Sequence, residues 1–342
     1  MRRLRTFRAF SSPLVSPLKL FHALGGIFTS GVRKRVIHPK PRWRWLVTGK
    51  KVTGAAHQHK PCQDWIDWRE SQGAVVLAVA DGHGSEHSPH SEEGARFGVE
   101  VAMRLLLDIP EKIEPGCLSL VKHYAEDQLP RHLVTAWAEE VRKHHSNHKL
   151  EGVGSCAETE GESRNEEDVK QRTGWERTKG PDPLLLQYGS TLLAVLATQD
   201  FLLLLQLGDG DILIVEEDGK VKRAFPRDAR LIANETTSLC SPYAWNDMHV
   251  AFEPLVEKAP ALILVCTDGY TNSFASEEDF LKVGFDYLQA VRDQGLEYVN
   301  SKMEEWLRET SHHGSGDDIA VGIIYRSDEC KGSASRDFSQ TE

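Results

Sequence analysis

Four aspartates stand beside glycine at the ends of short apolar segments, and this pattern constrains the fold more than any other feature of the sequence. The four motifs are Asp81-Gly82-His83-Gly84 after 74–80, Gly208-Asp209-Gly210-Asp211 after 201–207, Asp268-Gly269 after 262–266, and Gly316-Asp317-Asp318 before 319–325. One Asp-Gly after a strand is ordinarily a turn. Strands of one sheet can bring several ends together, so four such ends predict carboxylates that converge at one edge.

Converging carboxylates repel one another, and cations relieve that repulsion. Oxygen ligands of this kind favour magnesium or manganese. Two such ions can activate a water near neutral pH and neutralise a phosphate group. His83 follows Asp81 by two residues and is the candidate general acid for the leaving oxygen. The residues therefore predict hydrolysis of phosphate esters.

The rest of the globular sequence reads as antiparallel strands and separate helices, which predicts an α+β layered domain. Helices are predicted over 92–107, over 118–145 with a break at Pro130, and over 277–294 and 296–310. Further strands are predicted over 190–198, 211–216 and 221–224. Gln199-Asp200, Gly208-Asp209-Gly210 and Asp218-Gly219 separate consecutive strands and are read as hairpin turns.

The chain divides by composition into a basic arm, a globular domain and a polar tail. Residues 1–44 hold eleven Lys and Arg and no Asp or Glu, although the whole chain of 342 residues carries a net charge of −10. We predict a disordered arm over 1–44, a globular domain over 45–327 and a disordered tail over 328–342. Residues 146–183 are nearly free of large aliphatic side chains and are predicted to be a mobile insertion.

Four classes of protein are disfavoured. The six scattered cysteines contain no Cys-x-x-Cys pair, which argues against a disulfide framework or a zinc knuckle and favours a reducing compartment. The apolar runs fall well short of the roughly 20 residues that a transmembrane helix needs. The acidic balance argues against a general nucleic-acid binder. A cytoplasmic monomer is expected, and the basic arm leaves membrane-surface association or a transit peptide open.

Taken in order, the motifs resemble those of the metal-dependent protein phosphatases of type 2C, in their bacterial branch. The matching set is Gln63-Asp64, Asp81-Gly82-His83-Gly84, Tyr188-Gly189-Ser190-Thr191, Leu207-Gly208-Asp209-Gly210-Asp211, Thr267-Asp268-Gly269 and Gly314-Ser315-Gly316-Asp317-Asp318. It covers about residues 47–326, which would make the globular part a phosphatase domain. The resemblance implies a four-layer α/β/β/α sandwich, with two antiparallel sheets flanked by helices and a two-metal site at one end. It also implies dephosphorylation of phosphoserine and phosphothreonine in proteins without a covalent intermediate.

The resemblance also assigns roles in binding two Mn²⁺ or Mg²⁺ ions and a weaker third ion. Asp81 would bridge the two metals, and the carbonyl of Gly82 would reach the second. Asp268 and Asp317 would complete the first metal. Asp64, counted with His83 among the catalytic residues, would lie at or just outside the second metal. Asp209 would share the third ion with Asp268.

Several positions depart from the family pattern. Gln63 stands where many members have glutamate, so the second ion loses an anionic ligand. His59 stands at the position of a phosphate-binding arginine, which leaves His59 or the adjacent Lys60 as candidates to bind phosphate. Asp318 replaces an asparagine, and Gly210-Asp211 replaces a common Ser-Arg. Asp211 and Asp318 are expected to support the site rather than to bind metal.

These departures keep other functions open beside a phosphatase whose partner is a protein phosphorylated by a Ser/Thr kinase. A catalytically weak pseudophosphatase could use the fold as a phosphoprotein-binding module, and a related hydrolase could act on small phosphate esters. The histidine groups 57/59, 83/87/90 and 144/145/148 could hold metal, but no Cys or Glu partner has zinc-site spacing. Surface histidines are expected for 144/145/148.

Overall fold

The computed structural model describes residues 43–71, 73–112, 117–152, 182–227, 236–256 and 258–328. Two five-stranded sheets form its centre, and every strand pairing within them is antiparallel. The strands are β1 Trp43–Val52, β2 Trp65–Ser71, β3 Ala74–Ala80, β4 Leu192–Ala197, β5 Phe201–Leu207, β6 Asp211–Val215, β7 Val221–Arg223, β8 His249–Pro254, β9 Leu262–Cys266 and β10 Ile319–Asp328. One sheet has the order β1-β10-β9-β6-β7 and the other β2-β3-β4-β5-β8.

Helices cover the outer face of each sheet. The helices are α1 Ser91–Lys112, α2 Leu118–Asp127, α3 Leu129–Gly152, α4 Pro183–Leu186, α5 Ala244–Asp247, α6 Asp268–Thr271, α7 Glu277–Gln294 and α8 Leu296–His313. α1 to α3 pack on the sheet that contains β3, whereas α7 and α8 pack on the sheet that contains β9. The four-layer α/β/β/α architecture predicted from the resemblance is therefore confirmed.

The two faces of β3 show why this sequence makes layers. All seven residues of β3 are buried. Val75, Leu77 and Val79 point into the core between the two sheets, while Val76 and Ala78 point into the core beneath the helices. Because side chains alternate across a strand, a strand buried on both faces needs a continuous apolar run. The sequence run 74–80 meets that requirement.

One predicted turn is wrong. Gly208-Asp209-Gly210 does not close a hairpin, because β5 and β6 belong to different sheets. The chain crosses from one sheet to the other at this point, and Asp209 lies on the crossing segment. The hairpin turns between β4 and β5 and between β6 and β7 are confirmed. Three strands, β1, β2 and β8, were not predicted because charged, polar or aromatic residues interrupt their apolar pattern.

The predicted boundaries differ from the observed elements by a few residues. β1 begins at Trp43, inside the predicted arm, and β10 ends at Asp328, the first residue of the predicted tail. α3 continues to Gly152, inside the predicted insertion. The remainder of the arm, and most of the insertion and of the tail, lie outside the described residues. Within the described ranges, none of the helices combines the length and the apolar character that a membrane span requires.

Candidate active site

The aspartates from the four motifs meet in one pocket of about 1060 Å³. Asp81 follows β3, Asp209 follows β5, Asp268 begins α6 with one residue between it and the end of β9, and Asp317 precedes β10. All four line the pocket, as do Gly82 and His83. The pocket receives residues from both sheets, so the sandwich itself brings together positions that are far apart in the sequence.

The backbone around Asp81 is held by the start of β4. The amide of Asp81 donates to Thr191 Oγ1 at 2.9 Å, and the Asp81 carbonyl accepts from the Thr191 amide at 2.8 Å. The Gly82 amide donates to the carbonyl of Gln63 at 3.2 Å. A Cβ atom on Gly82 would lie 2.6 Å from the Ser91 carbonyl oxygen, so only glycine fits there. These contacts hold the backbone that carries the Asp81 carboxylate.

Asp268 and Asp317 are each oriented by a hydrogen bond from a residue nearby in the sequence. Asn272 Nδ2 donates to Asp268 Oδ2 at 2.9 Å across the short helix α6. The Asp318 amide donates to Asp317 Oδ1 at 2.8 Å. Both carboxylates remain partly accessible from the pocket. They are therefore positioned by the protein and still open to a ligand.

The electrostatics of the pocket are those of crowded acids. Burial, followed by neighbouring carboxylates, raises the pKa of Asp81 well above its usual value. Burial, Asp209 and Asp317 together raise the pKa of Asp268 to about 6. Among the described lining residues, Arg227 is the one Lys or Arg side chain, and it pairs with Glu277 at 3.4 Å. Asp81, Asp268 and Asp317 thus have no Lys or Arg partner on the described pocket lining.

Asp64 lies behind the wall of the pocket rather than in it. Its side chain is buried, and its Oδ2 accepts a hydrogen bond of 2.6 Å from Thr267 Oγ1. Asp64 is not among the lining residues. Burial, reinforced by Asp318 and Asp268, raises the pKa of Asp64 well above its usual value. Asp64 therefore acts on the electrostatics of the pocket from beneath it.

Asp318 organises the loop that carries Gln63. Its two carboxylate oxygens accept from the amides of Gly54 and Gln63, each at 2.7 Å. The side-chain amide of Gln63 donates to Ser91 Oγ at 3.1 Å, which ties it to the start of α1. Gln63 lines the pocket, but its amide nitrogen is engaged in this structural contact.

His83 is placed by direct contact with Gly189. The His83 amide donates to the Gly189 carbonyl at 3.0 Å. A Cβ on Gly189 would lie 2.4 Å from His83 Cδ2, so the imidazole ring packs against this glycine. Burial lowers the pKa of His83, and the Asp209 carboxylate partly opposes that effect. His83 is thus a half-buried imidazole on the same pocket lining as the carboxylates.

The predicted phosphate-binding residues lie elsewhere. His59 and Lys60 are exposed and do not line the pocket. His57 does line it, with Nδ1 at 3.5 Å from Asp317 Oδ1 and 3.4 Å from Asp318 Oδ1. The sequence groups His57 with His59 as a possible metal-binding pair and assigns His57 no part in phosphate binding. The proximity of His57 to His59 in the sequence could have suggested His57 as a pocket residue. Only the fold shows which of the two histidines faces the pocket.

A buried ion pair supports the base of the pocket. Arg223 pairs with Asp211 and with Glu277, and Asp211 Oδ2 also accepts from Thr271 Oγ1 at 2.8 Å. The network joins β6, β7, α6 and the first turn of α7. The family pattern that the motifs resemble often has an arginine at the position of Asp211. In this chain the arginine of the network is Arg223, on β7. Arg223 therefore compensates the charge of Asp211, whereas Asp81 and Asp268 have no Arg or Lys of this kind on the described pocket lining.

The donor set fits hard divalent cations. Carboxylate and carbonyl oxygens are the ligands that Mg²⁺ and Mn²⁺ prefer. Among the described residues, no three His, Cys, Asp or Glu side chains already stand in the geometry of a metal site. Uncompensated carboxylates repel one another, and divalent ions would offset that repulsion.

Comparisons with known proteins agree with this architecture. The model of the family "Protein phosphatase 2C" matches residues 53–308. Two crystal structures of a bacterial serine phosphatase, each bearing a different substitution of the same arginine, share the fold. The first is 12% identical, with a TM-score of 0.51, covering 83% of this chain and 98% of that one. The second is 13% identical, with a TM-score of 0.50 and coverage of 83% and 99%. No curated protein sequence matches.

A further solved structure is the catalytic domain of the serine/threonine protein phosphatase PstP in complex with two manganese ions. It is 14% identical, with a TM-score of 0.45, and covers 84% of this chain and 100% of that one. The extent of the family match shows that the chain belongs to the protein phosphatase 2C family. Membership classes it as a protein serine/threonine phosphatase.

Proposed function

We propose that this chain hydrolyses phosphoserine and phosphothreonine in proteins, using Mn²⁺ or Mg²⁺ and an activated water without a covalent intermediate. The observation that carries the proposal is the pocket in which Asp81, Asp268 and Asp317 converge without a compensating Lys or Arg among the described lining residues, beyond the peripheral Arg227. A pocket of this kind is electrostatically incomplete until it holds cations. Family membership supplies the reaction class.

The residues that would hold the ions are those of the family pattern. We assign Asp81 to both ions, the Gly82 carbonyl to the second, Asp268 and Asp317 to the first, and Asp209 to a weaker third ion. Asp64 lies beneath the pocket, and one of its oxygens accepts a hydrogen bond from Thr267. We therefore assign Asp64 an electrostatic role. Ions bound there supply a water nucleophile near neutral pH and charge compensation for the phosphate.

His83 is proposed as the general acid for the leaving serine or threonine oxygen. It lines the pocket, and its ring is fixed against Gly189. Burial lowers its pKa and makes its protonated form a stronger acid, which favours proton transfer to a developing alkoxide. The Asp209 carboxylate acts on the same imidazole and helps to retain its proton.

Substrate phosphate would enter beside His57, which lines the pocket next to Asp317 and Asp318. The family resemblance points instead to His59 or Lys60, and phosphate binding by either stays a prediction. Arg227 lies on the lining and can meet the negative charge of a phosphorylated segment. A kinase-phosphorylated protein as substrate, a monomeric state and a cytoplasmic location remain parts of the proposal.

A phosphate-release assay tests the proposal. The full chain is incubated with a phosphothreonine peptide and with a small aromatic phosphate, each titrated with Mn²⁺ and Mg²⁺ and repeated with chelator. We expect metal-dependent release that favours the peptide and falls by orders of magnitude in Asp81→Asn, Asp268→Asn and Asp317→Asn. Asp286→Asn, an exposed helix position, is the matched control. Release from the small ester alone would indicate a different hydrolase.

One observation favours a second candidate, a phosphoprotein-binding module. Gln63 cannot supply the charge of a glutamate, and its amide nitrogen is bonded to Ser91. A weakly held second ion would lower turnover while leaving the pocket able to bind phosphate. A folded chain that binds the phosphopeptide but releases no phosphate at any metal concentration would establish this candidate.

A further inference from the structure

A group of histidines lies outside the catalytic pocket, where the end of α3 meets the segment before β4. The group, called here the histidine cluster, consists of His90, His144 and His148. None of the three lines the carboxylate pocket. The sequence places His90 in one group and the other two in another, and the fold brings them together around the ring of Tyr188.

His144 and His148 turn their Nε2 atoms toward each other. They are four residues apart on α3, so their side chains project from the same face of the helix. The two Nε2 atoms are 2.9 Å apart, and the ring centroids are 4.3 Å apart. Two nitrogens at this separation must share a proton or another electron-pair acceptor, because two lone pairs facing each other would repel.

Tyr188 sets the orientation of His144. The Tyr188 hydroxyl oxygen lies 2.9 Å from His144 Nδ1, so Nδ1 is engaged and Nε2 is the nitrogen that faces His148. When Nδ1–H donates to Tyr188, the lone pair of Nε2 is available to a metal. Metal-binding histidines are characteristically held through their second nitrogen in this way. Burial and the neighbouring His148 lower the pKa of His144, which favours the neutral imidazole that metals require.

His90 completes the cluster by stacking on the ring of Tyr188. Its ring stacks on Tyr188 at a centroid distance of 5.0 Å and lies 6.4 Å from the ring of His144. Glu93 is close enough to act on the pKa of both His144 and Tyr188. An ion bound by His144 and His148 would therefore lie near a third imidazole and in the field of the Glu93 carboxylate.

We propose that the histidine cluster binds one Zn²⁺ ion through the Nε2 atoms of His144 and His148, with His90 or water completing the coordination. Imidazole nitrogens favour zinc, whereas the carboxylate pocket favours Mg²⁺ and Mn²⁺. The two sites therefore differ in ligand chemistry as well as in position. Within the described ranges, no three potential ligand side chains already stand together as a metal site. We therefore assign the ion two protein nitrogens, those of His144 and His148.

The zinc site would be joined to the catalytic pocket through three consecutive residues. The Tyr188 carbonyl packs on Gly94, and the next residue, Gly189, contacts the His83 ring. The His90 amide donates to the Gln187 carbonyl at 2.9 Å. An ion on the histidine cluster would thus brace α3 against the segment that positions His83.

Zinc titration in the presence of magnesium tests the proposal without reference to phosphatase activity. The full chain, free of any histidine tag, is saturated with Mg²⁺ so that the carboxylate pocket is occupied, and Zn²⁺ is added against a chromophoric competitor chelator. We expect one zinc equivalent. His144→Gln and His148→Gln each weaken the zinc affinity by at least about tenfold, and Tyr188→Phe by about tenfold.

His145→Gln is the matched control, because it makes the same change at the next position on α3 and should leave zinc affinity unchanged. Circular dichroism establishes that each variant is folded. Absence of zinc binding in the magnesium-saturated chain overturns the proposal. So does zinc affinity that is equal in His145→Gln and His148→Gln. Both results leave the proposed phosphatase function untouched.

Discussion

The Asp318 carboxylate accepts a hydrogen bond of 2.7 Å from the backbone amide of Gln63, 255 positions away in the sequence. Its other oxygen accepts from the Gly54 amide at the same distance. Asp318 is buried and directly follows Asp317, a candidate metal ligand. One carboxylate therefore couples the loop after β1 to the segment that begins β10.

Replacing Asp318 with alanine should destabilise the protein by about 3 kcal/mol, since hydrogen bonds to charged groups are worth about 1.5–3 kcal/mol each. The amides of Gly54 and Gln63 would be left without this acceptor. Denaturant unfolding measures the change. Asp286→Ala, an exposed helix position paired with Lys282, should change stability by less than about 0.5 kcal/mol. Equal effects would contradict a structural role for Asp318.

The two arginines that pair with Glu277 should behave differently. Arg223 is 9% exposed and also pairs with Asp211, whereas Arg227 is 63% exposed. Arg223→Ala leaves a buried carboxylate unpaired and should cost about 3–5 kcal/mol in unfolding experiments. Arg227→Ala should cost less than about 1 kcal/mol but raise the KM for a phosphopeptide. A stable Arg223→Ala protein would show that Asp211 is compensated elsewhere.

The metal-free protein should lose stability as the pH rises. Burial and neighbouring acids raise the folded-state pKa of Asp268 from 3.8 to about 6. At pH values between these two pKa values, the folded state therefore binds more protons than the unfolded state. The unfolding free energy contributed by Asp268 therefore falls between about pH 4 and 6. The raised pKa values of Asp64 and Asp81 extend the fall upward.

Thermal unfolding across this range with chelator present measures the effect, and Asp268→Asn should flatten the curve. Saturating Mn²⁺ should reverse the trend, because ions bind the deprotonated carboxylates and stabilise the folded state. A metal-free protein whose stability rises steadily over the same range would contradict the inferred carboxylate repulsion.

Gly189→Ala should impair catalysis through His83. The added Cβ would lie 2.4 Å from His83 Cδ2, so the ring must move. We expect kcat to fall by at least about tenfold while the KM for phosphopeptide changes little, which is the pattern for a displaced general acid. Combining Gly189→Ala with His83→Gln should give little further loss. Fully additive losses would place the effect of Gly189 elsewhere.

Gln63→Glu should strengthen divalent-ion binding. The added carboxylate supplies negative charge beside the pocket, and ligand charge is a main determinant of cation affinity. Mn²⁺ titrations of the wild-type chain and the variant measure the change. The same substitution should lower the stability of the chelator-treated protein, because it adds one more uncompensated acid. Gln63→Met removes the amide without adding charge and serves as the control.

The sequence by itself determined the apolar runs, the aspartates at their ends and the order of the motifs. Apolar runs such as 74–80 indicate burial on both faces of a strand, because consecutive side chains point to opposite faces of the sheet. The pairing of Asp81 with glycine and histidine could be recognised from local spacing alone. These features predict an α+β layered domain with converging aspartates, and the family resemblance that they support adds the four layers and the roles of the candidate ligands.

Tertiary structure alone decided which side chains face the pocket. His57 rather than His59 points inward, Asp64 lies behind the wall, and β5 passes to the other sheet at Asp209 instead of turning back. It also brought His90 to the pair on α3. Such relations depend on contacts between residues far apart in the chain and on burial, and neither quantity is encoded in the local pattern around one residue.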